Sequence, residues 1–83
     1  KMEDLSGETL NALKNWLSLN LESDHPLDNE RYNRFIAKAK ANGDKITGYI
    51  LAEVLKQVQP SWNPQKVSVF VTKEIERINI VLA

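Results

Sequence analysis

One histidine, no cysteine and scattered carboxylates are all that this chain offers to catalysis. His25 stands between Asp24 and Pro26 in the polar stretch ESDHPLDNE. Nucleophilic catalysis needs a nucleophile, a base and a group that orients the base, held in one fixed constellation, and a lone histidine in a polar loop does not point to one. His25 is therefore expected to be a solvated loop residue. The acidic run from Glu22 to Glu30 suggests calcium, but a calcium loop begun at Asp24 fails. It would put Pro26 at the third position, Asn29 where glycine is required and Phe35 where the bidentate glutamate belongs. Without cysteine there is neither a thiolate metal site nor a disulfide. No glycine-rich phosphate loop follows a strand. The expectation is a protein that is not an enzyme and that carries no cofactor or metal.

Positive side chains are the better lead. Arg31, Arg34 and Lys38 recur at i, i+3 and i+7, forming one stripe if the segment is helical. With Lys45, Lys66 and Lys73 they form the candidate surface for phosphate. Net charge is zero. It is unevenly spread: residues 1–30 hold two basic and seven acidic side chains, and residues 31–83 hold nine and four. Such asymmetry can make a basic face, or the two halves can fold together and neutralise each other. A stand-alone nucleic-acid binder is usually clearly basic, so the zero balance weighs towards docking on protein.

Four amphipathic segments must position these groups. In the first, about 6–21, Ser6 is the N-cap and Glu8 lies in the first turn, favoured by the helix dipole. Leu10, Leu13, Trp16 or Leu17, and Leu21 make its apolar stripe. Leu17, Leu19 and Leu21 also alternate like a strand, but over five residues only, so the longer helical period prevails. Asp28 caps a second helix, 28–41, which buries Tyr32, Phe35, Ile36 and Ala39 and stops at ANGD, with Gly43 in the left-handed position. Thr47 caps a third, 47–58, with Ile50, Leu51, Val54, Leu55 and Val58 inward. Asn63 followed by Pro64 reads as cap and first residue of a fourth, 64–82. There Val67, Phe70, Val71, Glu74, Ile75, Ile78 and Leu82 share a face. KVSVFV and RINIVL could instead alternate as two strands, but TKEIE between them lacks the turn residues of a hairpin. The expected fold is all-α, a compact four-helix bundle.

Eighty-three residues make one domain, and 27% charged residues is an ordinary globular share. Residues 1–5 are expected to be disordered, and the domain to be excised from a longer protein. No stretch approaches the apolar length of a membrane span, and no apolar leader is present. An intracellular location is expected.

Two binding readings follow from the helices. GYILAEVLKQV, a short turn and PQKVSVFVTKEIERI have the outline of a helix-turn-helix. Gln65, Lys66, Ser68 and Val69 would then face bases, and Arg31, Arg34 and Lys45 phosphates. Aligning Ala52 with the small residue of the motif's first helix leaves Lys56 where the turn glycine usually sits, and Gln57 where an apolar anchor is usual. The second reading is protein docking: Leu19, Val69 and Ile80 lie off the main stripes and are candidate partner contacts.

The chain also resembles the PWI-like domains of splicing and mRNA-export proteins. NWL at Asn15 to Leu17 stands where that family has Pro-Trp-Ile. RYNRFIAKAKANGDKITGYILAEVL is similar to its middle section, and VSVFVTKEIERINIVL to its last helix. Asn15 replaces the defining proline, Ile75 or Glu76 stands for the last-helix tryptophan, and Arg77 is one position out of register. The resemblance implies a non-catalytic module of RNA processing and mRNA splicing. It would be nuclear and would bind RNA, DNA or a protein factor, with no membrane and no small-molecule substrate.

Overall fold

Three side-chain caps start three of the helices. Ser6 Oγ accepts from the Thr9 backbone N–H, Thr47 Oγ1 from that of Ile50, and Asn63 Oδ1 from that of Lys66. Each satisfies an otherwise orphaned donor and is worth about 1 kcal/mol. The computed structural model describes residues 5–19 and 26–83. It is all-α: α1 (Gly7–Leu17), α2 (Pro26–Asn42), α3 (Gly48–Val58) and α4 (Pro64–Leu82). There is no strand among the described residues, so KVSVFV and RINIVL belong to one helix.

Two boundaries differ from the sequence expectation. α1 stops at Leu17 with Ser18 as its C-cap. The carbonyls of Leu17 and Leu19 accept instead from Gln59 Nε2, at 2.8 and 2.9 Å. A side chain forty residues away ends this helix, which local periodicity cannot show. α2 begins at Pro26, so Asp28 is inside the helix and is not its cap. Proline suits a first turn because its φ is already helical and it has no N–H to leave unpaired. Leu21, Glu22, Asp24 and His25 lie outside the described residues. So does the expected disorder of residues 1–5, except at Leu5, which is buried.

The other end of α2 behaves as expected. Gly43 has φ 66°, the left-handed conformation. Its N–H donates to the Lys40 carbonyl, and the Asp44 N–H to that of Ala39. This paired closure is the Schellman motif.

Going round the bundle the order is α1, α2, α4, α3. Leu13, Leu17, Phe35, Leu51, Val54, Leu55 and Ile78 are wholly buried between the helices. Truncating one such leucine to alanine costs about 2–5 kcal/mol, because the cavity collapses only in part. Thr9 and Ala12 are buried on α1, whereas Leu10 is half-buried. Trp16 is the hub of the aromatic packing. It meets the Tyr32 ring edge-on at 4.9 Å, stacks with Phe35 at 5.8 Å and leans on Phe70 at 6.0 Å. Glu74, the one charged residue expected on the inner face of α4, is indeed buried. It pairs with Arg77 at 2.7 Å, and the Arg77 guanidinium lies 3.9 Å over the Tyr32 ring.

Candidate functional site

The start of α4 sets one tryptophan among cations. Pro60 ends α3 and the chain turns, with the Trp62 N–H donating to the Gln59 carbonyl at 3.1 Å. Asn63 and Pro64 then start α4 at once, so Lys66 sits at its third position. From there its ammonium lies 4.5 Å over the Trp62 ring. Trp62 is half-buried, its edge against Phe70 at 5.5 Å. It borders a shallow concavity of about 470 Å³ shared with Gln65, Lys66, Val69, Phe70 and Lys73. It also borders a second, of about 380 Å³, shared with Lys56, Ser68 and Thr72. Trp62 packs against the edge of the core and forms a wall of both concavities.

The six candidate cations do not share one surface. Lys38 pairs with Glu8 at 3.2 Å, and Arg31 donates to the Asn15 carbonyl at 3.3 Å, so both are turned to α1. Arg34 is exposed on α2. Lys45 lies in the α2–α3 loop, beside a depression bordered by Asn79 and Leu82. Lys66 and Lys73 line the same concavity. Of the apolar candidates, Val69 and Ile80 are 65% and 71% exposed, while Leu19 is half-buried.

Lys56, in the last turn of α3, was not among the candidate cations, and it pairs with Glu53 at 3.3 Å. For Lys66 the signal available was the cap: Asn63-Pro64 fixes where α4 begins, and hence that Lys66 falls back over the preceding tryptophan.

A separate polar cluster sits at the start of α1. Asp44 Oδ2 accepts from the hydroxyls of Thr9 and Ser6, at 2.6 and 2.9 Å. Its Oδ1 accepts from the Ser6 N–H at 3.4 Å. The Thr9 bond, the largest influence, holds the Asp44 carboxyl below its ordinary value of 3.8, and partial burial opposes it. A carboxylate against a helix N-terminus is also favoured by the dipole. The partners are all internal to the fold, so this cluster is structural. Tyr32 is pushed up by burial, which outweighs the nearby Arg77 cation, and Glu74 pushes the same way. Among the described residues no cluster of His, Asp or Glu could hold a metal ion, and no helix is long and apolar enough to cross a membrane. The chain matches no family model, no curated protein and no solved structure.

Proposed function

We propose that the protein is a non-catalytic binding module of the PWI-like kind, acting in RNA processing. Its working surface is the α3–α4 turn with the first half of α4. The observation that carries this reading is Trp62, with Lys66 over its ring and Lys73 further along the same concavity. An aromatic face beside ammonium groups is the combination that single-stranded nucleic acid recognises. Bases stack on the ring, and the cations neutralise the backbone. The four-helix architecture and the tryptophan on the first helix agree with the resemblance. The engaged Arg31 and Lys38 become scaffold, while Arg34 and Lys45 lie apart from the working surface.

Labelled single-stranded RNA, titrated at low and moderate salt, tests this reading. Binding should weaken steeply as salt rises, because each neutralised phosphate releases counterions. Trp62→Ala should weaken it by about 5- to 150-fold, the range of one stacked base. Lys38→Ala should leave it unchanged. No binding at low salt, or equal loss from Lys38→Ala and Trp62→Ala, would overturn the proposal. Preference for particular duplex DNA sites would favour the helix-turn-helix arrangement instead.

A further inference from the structure

The outer face of α4 carries a second pattern, which meets the concavity beside Trp62 at Val69 and Lys73. Val69 and Ile80 are the most exposed large apolar residues among those described. They are eleven residues apart, three helical turns, so they lie on one line. Lys73 and Glu76 lie between them on that line, and all four are exposed. The line runs opposite the face that buries Val67, Glu74 and Ile78. The spacing from Val69 through Lys73 and Glu76 to Ile80 is four, three, four. That is the seam spacing of a heptad.

The line is also self-complementary. Lys73 and Glu76 are equally far from the point midway between Glu74 and Ile75, and so are Val69 and Ile80. A two-fold axis through that point sets two copies of α4 antiparallel. It brings Val69 of one copy against Ile80 of the other, and Lys73 against Glu76, each contact made twice. A parallel pairing in register would instead set lysine against lysine. Neither Lys73 nor Glu76 has an ion-pair partner among the described residues. Within one helix, lysine before glutamate is the poorer order for a pair, which leaves both charges to an outside partner. Isologous dimers are built from a patch that matches itself in this way.

We infer that α4 is a self-association surface and that its partner is a second copy of this chain, packed antiparallel about that axis. The seam is one short helix, at the small end of protein interfaces, so the dimer is weak and dynamic. Thr72 and Asn79 flank the seam with short polar side chains.

Sedimentation of the protein from low micromolar to millimolar concentration tests the inference. The mean mass should climb towards twice that of the monomer. Val69→Asp should abolish the rise. Lys73→Glu sets two glutamates together at each contact and should weaken the dimer about tenfold. Adding Glu76→Lys to it restores opposite charges and should bring the affinity back. All these positions are exposed, so circular dichroism should show an unchanged fold. The chain has no cysteine, which allows a register test. A Val69→Cys chain mixed with an Ile80→Cys chain should form the mixed disulfide in preference to either symmetric one. A monomer throughout the range, association insensitive to Val69→Asp, or a charge-swapped double variant no better than the single would each overturn the inference.

Discussion

Asp44 joins two elements through one carboxylate. The turn that closes α2 delivers it to the N-terminus of α1, where the hydroxyls of Thr9 and Ser6 meet it. Folding therefore favours the ionised form, and the folded carboxyl titrates below its ordinary 3.8. Such a group contributes fully above its unfolded value, and the contribution is lost as pH falls through the lower folded one. Acid should thus weaken the fold below about pH 4, where this carboxylate begins to take up protons in the unfolded chain. Thr9→Val keeps the shape and removes the strongest donor, so it should cost about 1–2 kcal/mol at neutral pH. Urea unfolding at neutral and acid pH checks this: the gap between variant and parent should shrink in acid. A gap that stays constant would mean that the hydroxyl packs rather than holds charge.

At the scale of elements, α1 is short and is held at both ends by residues from other parts of the chain. Asp44 holds its start, and Gln59 its end. Gln59→Ala should cost about 1 kcal/mol, because the freed carbonyls gain only water. Gln59→Glu should cost more, since a carboxylate would face the negative end of the helix and donate nothing. Thermal unfolding of the two variants tests the order, and equal losses would contradict it. The same contact explains what the sequence could and could not tell. α3 and α4 were legible because Thr47, Asn63 and Pro64 act on their immediate neighbours. Gly43 was legible for the same reason. The end of α1 was not, because Gln59, which holds it, lies just past the end of α3. Asp28 misled because a good capping residue followed a good first-turn residue, and the proline took the position. Trp62 was half legible: the turn showed, but its place between two concavities depends on how α3 meets α4.

The whole molecule has zero net charge and still concentrates cations at one end of α4. Its two proposed surfaces share Lys73 and Val69. RNA on the Trp62 concavity and a second copy on the outer line of α4 therefore compete. Binding free energies are reciprocal, so RNA should loosen the dimer by the same factor by which dimerisation weakens RNA binding. RNA affinity measured at rising protein concentration, alongside dimer mass at rising RNA, tests the equality. Independence of the two equilibria would show that Lys73 serves at most one of them.

The rings of Trp62, Phe70 and Trp16 form a file from the surface to the hub of the core, with centroids 5.5 and 6.0 Å apart. The chain holds only these two tryptophans, and they occupy opposite ends of that file. Trp16 is wholly surrounded, while Trp62 sits at the solvent boundary beneath an ammonium group. Their fluorescence should therefore separate by colour. The red component reports what touches the working surface, the blue component reports whether the bundle is intact, and one unlabelled sample follows both.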